Sequence, residues 1–218
     1  MTWDDQYRQS GQLWGNEPGI LAVAAVNYLT SAKPVPSVPF LLDIGCGYGR
    51  DAFFISGFMP CRILGIDVSE RSIAMGTARA AETGKQNIQF QRMDFTSLGA
   101  QQFDIVFISN LYQILHPEQR DALRKMAARV LRRGGLLMLS TLSVNDPEHY
   151  AKGRAVPGER NSYEDNVYLH FCTRDELVQD FAFLTVRSLE EHDYHEPRVT
   201  GEVHHHVSWL LIGTREDR

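Results

Sequence analysis

The chain is poor in cysteine and has no excess of positive charge and no long apolar run. Its three cysteines, Cys46, Cys61 and Cys172, are odd in number and widely spaced. That argues against a disulfide framework and against a paired-cysteine zinc site. Lys and Arg total 22 against 27 Asp and Glu, a net charge of -5, so nothing draws the chain as a whole to phosphate backbones or anionic lipid. Neither a nucleic-acid nor a membrane partner is expected. The one basic cluster, Arg129 to Arg133, sits at the end of a predicted helix, where cations complement the helix dipole. No segment approaches the roughly 18 uninterrupted apolar residues of a membrane span. The opening "MTWDDQYRQSGQLWGNEPG" is acidic where a secretion signal is basic, and it lacks the apolar core of one. With unpaired cysteines, a cytoplasmic location is the expectation.

What is present is a composition of 43% hydrophobic and 22% charged residues over 218 positions, which suits one folded domain. Apolar runs at Phe40 to Gly45, Arg62 to Val68, Ile88 to Asp94, Phe103 to Asn110 and Leu136 to Leu142 read as strands. Arg50 to Gly57, Glu70 to Thr83 and Pro117 to Leu131 read as helices between them, with Ser69 as an N-cap and Pro117 in a first turn. Gly19 to Thr30 reads as a helix before the first strand. This alternation implies an α/β fold of parallel strands with helices on both faces. The continuous hydrophobicity of "FDIVFIS" and "LLMLS" fits strands buried on both sides. A short helix near Thr173 to Phe181 precedes two further strands, Phe183 to Tyr194 and Val207 to Thr214, which should pair as an antiparallel hairpin turning near "RVTGE".

In "LLDIGCGYGRDAFF", Gly45, Gly47 and Gly49 clear side chains from a strand-to-helix turn, so a ligand can approach the backbone. A dinucleotide fingerprint needs G-x-G-x-x-G; here the third glycine comes one place early and Arg50 takes its slot, which disfavours a pyrophosphate cradle. Asp43 puts a carboxylate under the loop, suited to an ammonium group. Asp67, at the second strand end, stands near the offset of a ribose-binding acid. Asp94 and Phe95 end the third strand with an acceptor and an apolar face for a purine, and Asn110 ends the fourth.

These stretches, with "ILGIDVSERSIAMG", "QRMDFTS", "FDIVFISNLYQIL" and "LRKMAARVLRRGGLLML", resemble the consecutive motifs of class I S-adenosylmethionine-dependent methyltransferases. "GYGRD", the N-terminal "WDDQYRQSGQLWGNEP" and "YLHFCTRDEL" are similar to small-molecule members of the tellurite-resistance and thiopurine-like kind. The resemblance implies a Rossmann-like seven-stranded, mostly parallel sheet ending in an antiparallel hairpin, with S-adenosyl-L-methionine as cofactor. It implies that Gly45 and Gly47 face the methionine part, Asp67 the ribose, Asp94 and Phe95 the adenine, and that Asn110 borders the path of the methyl group, with Asp43, Cys46 and Val68 also at the cofactor. It implies an enzyme whose acceptor is a small molecule, a thiol, metalloid or other soft nucleophile. Where many relatives carry a His-His pair, this chain has Gln113 and Ile114, so no catalytic base is assigned. A nicotinamide-dependent oxidoreductase and a non-catalytic cofactor binder are the alternatives.

The whole of 1–218 is read as a single domain, with 1–38 as an N-terminal helical or lid segment and 143–172 as a substrate-side insertion. A structureless stretch as long as the latter is more often a binding loop than filler. Tyr7 and Trp14 in the first segment, and Tyr150, Tyr168 and His170 in the second, are the candidate substrate contacts. Five histidines, His192, His195, His204, His205 and His206, fall in the predicted hairpin. Alternation puts His204 and His206 on one face, where they could meet His192 or His195. A polar hairpin end is the simpler account, and no metal is assigned.

Overall fold

The computed structural model describes residues 2–12, 14–32, 35–197 and 203–216. In chain order come α1 (Trp3–Ser10), α2 (Ile20–Ala32), β1 (Phe40–Ile44), α3 (Arg50–Phe58), β2 (Arg62–Asp67), α4 (Glu70–Glu82), β3 (Ile88–Arg92), β4 (Phe103–Ser109), α5 (Pro117–Val130) and β5 (Leu131–Leu142). Three short strands follow, β6 (Arg154–Ala155), β7 (Ser162–Glu164) and β8 (Tyr168–His170), then α6 (Arg174–Asp180), β9 (Thr185–Pro197) and β10 (Val203–Thr214). Seven strands make one sheet in the order β3-β2-β1-β4-β5-β10-β9. The first five run parallel to one another, and β10 is antiparallel to both β5 and β9. This is the α/β sheet with an antiparallel end that the sequence implies.

Period-two alternation divides the sheet's side chains between two cores. Leu41, Ile105, Phe107, Met138 and Leu210 face α2 and α3, where Leu21, Ala25, Leu29 and Ala52 are buried. Leu42, Ile44, Val106, Ile108, Leu139 and Leu211 face the other way, onto Leu123, Met126 and Val130 of α5 and Phe181. Helix starts follow the expected chemistry. The Ser69 hydroxyl accepts from Ser72 N at 3.1 Å, Pro117 sits in the first turn of α5, and Thr173 caps α6 by accepting from Glu176 N at 3.2 Å.

Three expectations change. Strand β5 begins at Leu131 rather than Leu136, directly after α5, and its register against β4 jumps between Phe103 and Ile105. The extra residues are "LRRGG", with Gly134 at a φ of 73°, a conformation that glycine adopts without steric cost. The basic cluster does more than complement the helix dipole: Arg129 sits in the last turn of α5 and donates to the Leu98 and Gly99 carbonyls, and Arg132 pairs with Asp104 at 2.8 Å. The 143–172 segment is not structureless, because β6, β7 and β8 form a small antiparallel sheet. The hairpin turn expected at 198–202 lies outside the described residues. No helix among the described residues is long and apolar enough to cross a membrane.

Candidate active site

Strand order reverses between β1 and β4, and ligands of open parallel sheets bind beyond the strand ends at such a reversal. A cleft of about 530 Å³ opens there. It is lined by all nine residues expected at the cofactor: Asp43, Gly45, Cys46, Gly47, Asp67, Val68, Asp94, Phe95 and Asn110.

The turn that leaves β1 is bent over β2, with the amides of Gly45 and Cys46 both donating to the Ile66 carbonyl, at 2.9 and 3.1 Å. Its three glycines all have positive φ: 72° at Gly45, 53° at Gly47 and 80° at Gly49. Space as well as conformation demands them. A Cβ on Gly47 would lie 2.8 Å from the Tyr7 hydroxyl, and one on Gly49 only 2.2 Å from the Phe90 ring. Asp67 braces the turn from below, its Oδ2 accepting from Gly47 N at 2.9 Å while Oδ1 accepts from Ser69 N at 2.8 Å. Burial raises the pKa of Asp67 despite these bonds.

Asp43 is 3% exposed. Burial first, then the charges of Asp51 and Asp67, push its carboxyl well above the ordinary range. Burial does the same to the Cys46 thiol and to the Tyr7 phenol. Asp94 is exposed and its Oδ1 caps its own turn, accepting from Thr96 N and Oγ1 at 2.8 and 2.7 Å. Asn110 stands at a φ of 53° with its Oδ1 accepting from the Ser140 hydroxyl at 3.3 Å. A non-glycine residue held there is the kind of local strain that collects at functional sites.

Residues 41–135 match the methyltransferase domain family. That stretch, somewhat under half of the chain, is similar to a methyltransferase domain. It is 32% identical over 120 residues to the erythromycin 3''-O-methyltransferase of Saccharopolyspora erythraea, an alignment covering 53% of this chain and 39% of that protein. The matched region thus spans less than half of that relative's length. Among solved structures, one from a study of the conversion of a disulfide bond into a thioacetal group during echinomycin biosynthesis superposes with a TM-score of 0.74. It is 23% identical, over 98% of this chain and 90% of its own. The Burkholderia thailandensis 1,6-didemethyltoxoflavin-N1-methyltransferase, solved with its acceptor and S-adenosylhomocysteine, gives a TM-score of 0.70 at 18% identity, over 98% and 85% of the two chains.

The N-terminal segment covers the glycine turn. Tyr7 and Trp14 both line the cleft. The Trp14 amide donates to the Tyr48 hydroxyl at 3.1 Å, that hydroxyl donates to the Gly15 carbonyl at 2.6 Å, and Arg50 Nη1 donates to the Trp14 carbonyl at 2.6 Å. Arg50 also reaches Glu196 of β9 at 3.5 Å. Beside it, Asp51 accepts from Gly19 N at 2.7 Å, and burial raises its pKa against the pull of Arg50.

The other three candidate contacts are not among the lining residues. Tyr168 and His170 flank Leu169 on β8, and it is Leu169 that lines the cleft; alternation turns its neighbours away. The Tyr168 hydroxyl meets Arg120 at 2.8 Å and Glu159 at 2.6 Å, and His170 contacts Ser162 and Glu176. Tyr150 bonds Asn161 at 3.2 Å and packs edge-on against Phe171. These are the insertion's own internal supports. In their place stand His206, which the sequence reading weighed only among the hairpin histidines, and residues that it missed, namely Asp51, Gln113, His149, Leu169, Tyr194 and Glu196. The "RD" after the third glycine was the one local signal for any of them. Gln113 is buried, and its Oε1 has no hydrogen-bond partner among the described residues.

Proposed function

We propose that this chain transfers a methyl group from S-adenosylmethionine to a hydroxyl- or thiol-bearing small molecule held between the crevice and the N-terminal cover. The observation that carries the reading is the side-chain-free glycine turn braced on Asp67 at the mouth of the cleft. The residues present fit the cofactor. The buried Asp43 carboxyl, crowded by two other acids, is suited to a ligand ammonium. Asp67 offers its carboxylate to ribose hydroxyls, and Phe95 an apolar face to a purine beside Asp94.

S-adenosylmethionine supplies a methyl group on a sulfonium; an acceptor lone pair forms the new bond, the carbon–sulfur pair stays on the departing thioether, and an acceptor hydroxyl or thiol gives up its proton. The protein's part is alignment and exclusion of water. Tyr7 and Trp14 cover the reacting end, and Asn110 and Gln113 border it. The unpartnered Gln113 carbonyl is matched to a donor on the ligand or acceptor. The likeness to a named O-methyltransferase supports a hydroxyl acceptor. The unpaired cysteines suit a reducing cytoplasm.

Titration calorimetry with S-adenosylmethionine, S-adenosylhomocysteine and NAD in parallel tests the cofactor. Micromolar binding of the first two and none of NAD is expected. Binding of NAD alone would overturn the reading.

A further inference from the structure

Three imidazoles from two separate segments converge at one side of the cleft. His149 lies between β5 and β6, and His204 and His206 sit two residues apart on β10, on the same face as alternation requires. The rings of His204 and His206 are nearly parallel, 10° apart, with centroids 5.9 Å apart, and His149 stacks 5.2 Å from His206 and 6.2 Å from His204. The strand neighbours His192 and His195 take no part. His195 stacks instead on His205 across the other face, at 4.5 Å.

One ligand atom from each of the three rings lies within 4.8 Å of the other two. Two carboxylates stand behind them. Asp146, which is 2% exposed, places Oδ2 3.2 Å from His206 Nδ1 and also accepts from the amides of Val207 and His149, at 3.1 and 2.8 Å. Glu148 contacts His204 Nδ1 through one oxygen and accepts from His205 N at 2.7 Å through the other. A carboxylate at Nδ1 fixes the proton there and the lone pair on Nε2, the arrangement that orients histidines bound to metals.

We propose that His149, His204 and His206 bind one divalent first-row transition ion such as zinc, with Asp146 orienting the His206 ring and Glu148 the His204 ring. A tetrahedral ion with bonds of about 2.1 Å holds its ligands roughly 3.4 Å apart, so the rings close by no more than about 1.4 Å from the 4.8 Å limit. A second cluster among the described residues, His170, Cys172 and Glu176, belongs to the insertion and α6, with His170 against Ser162 at 2.9 Å and Glu176 at 2.7 Å.

Three histidines leave a fourth position for a small ligand. His149 and His206 line the same cleft as Gly45 and Asp67, so an acceptor bound there has access to the ion. A hydroxyl or thiol coordinated in that position releases its proton to solvent near neutral pH and stays bound as the anion. That role, unlike the metal site itself, rests on the methyl-transfer reading. It accounts for deprotonation of the acceptor in a chain that has Gln113 and Ile114 in place of a histidine pair.

The test is calorimetric titration of zinc into the full chain after stripping with a chelator. One ion per chain at micromolar affinity or tighter is expected, weakened at least tenfold in His149→Ala and in His204→Gln, with folding of each checked by circular dichroism. Should His204→Gln fail to fold, His149→Ala, whose side chain leaves a loop, carries the comparison. No zinc uptake by the folded parent, or uptake by the folded variants as tight as the parent's, would overturn the site. With cobalt(II) in place of zinc, added azide should shift the visible absorption bands. Unshifted bands would remove the acceptor role. S-adenosylmethionine titrated into the metal-free protein reports separately on the cofactor.

Discussion

The Asp43 carboxyl is buried under the glycine turn against two other acids, Asp51 and Asp67. Its raised pKa means that, above the ordinary aspartate value of about 4, the folded chain keeps a proton that the unfolded chain has released. Stability therefore declines as pH rises through that window. Asp43→Asn should melt higher than the parent near neutral pH without ligand, the gain vanishing as pH falls toward the ordinary value, and should bind S-adenosylmethionine at least tenfold more weakly. Thermal melts across pH with calorimetry decide it; a variant less stable at every pH would make Asp43 a structural residue. Asp67→Ala should weaken cofactor binding by about 1.5 to 3 kcal/mol, the range for hydrogen bonds to charged groups. Asp67→Asn, which keeps one acceptor oxygen for the turn, should fall between it and the parent. Unchanged affinity in a folded Asp67→Ala protein would remove Asp67 from the ribose. Both residues were legible in the sequence because each stands at the end of a strand whose apolar run is unmistakable. Gln113 and Glu196 were not, since a loop and a hairpin deliver them and no local pattern says where those fall.

At the scale of elements, the start of α4 carries two duties. The Ser69 hydroxyl caps the helix and also donates to Asp4 of α1 at 2.5 Å, and Asp4 accepts from Arg71 N at 3.1 Å. Ser69→Ala should cost about 1 kcal/mol as a lost cap and loosen α1 as well, seen as faster amide exchange over 3–10. Exchange in α1 that matches the parent's would separate the two duties. Gly49 and Gly84 offer a contrast, with φ of 80° and 65°, the first hard against Phe90 and the second with nothing within 4 Å of an added Cβ. Gly84→Ala should lose only the backbone strain, about 1 kcal/mol or somewhat more. Gly49→Ala adds overpacking of about 1 to 3 kcal/mol, and urea titration ranks the two. The expectation for β8 failed on parity alone: the segment's importance was legible, but a strand of three residues gives no apolar rhythm, so Tyr168 and His170 were placed on the cleft instead of Leu169.

For the molecule as a whole, the cleft is closed by parts distant in sequence: α1, the glycine turn, the insertion and the β9–β10 hairpin. A ligand that binds only this assembled form adds stability through mass action. S-adenosylhomocysteine at a hundredfold excess over its Kd should add about 2.7 kcal/mol to unfolding, with exchange protection spreading to 3–10 and 203–208. A melting temperature unmoved by ligand would contradict binding at this cleft. The parallel strands were readable from alternating strand and helix patterns and the final hairpin from the lack of a helix between its strands, whereas the place of β10 between β5 and β9 was not. The histidine cluster was half readable: alternation paired His204 with His206, but only the fold brings His149 to them.

Strand β10 lies between β5 and β9, the one insertion of a late segment into the interior of a sheet otherwise built in sequence. During synthesis, then, β5 waits with a row of unsatisfied amides and carbonyls along "LLMLSTL" until residues 203–214 leave the ribosome. An unpaired, apolar edge of that kind invites the edge of another nascent chain. The same late strand brings His204 and His206, so the molecule completes its sheet and its histidine cluster in a single closing event. A ribosome stalled before that event should present a binding target for chaperones, and one stalled after it should not.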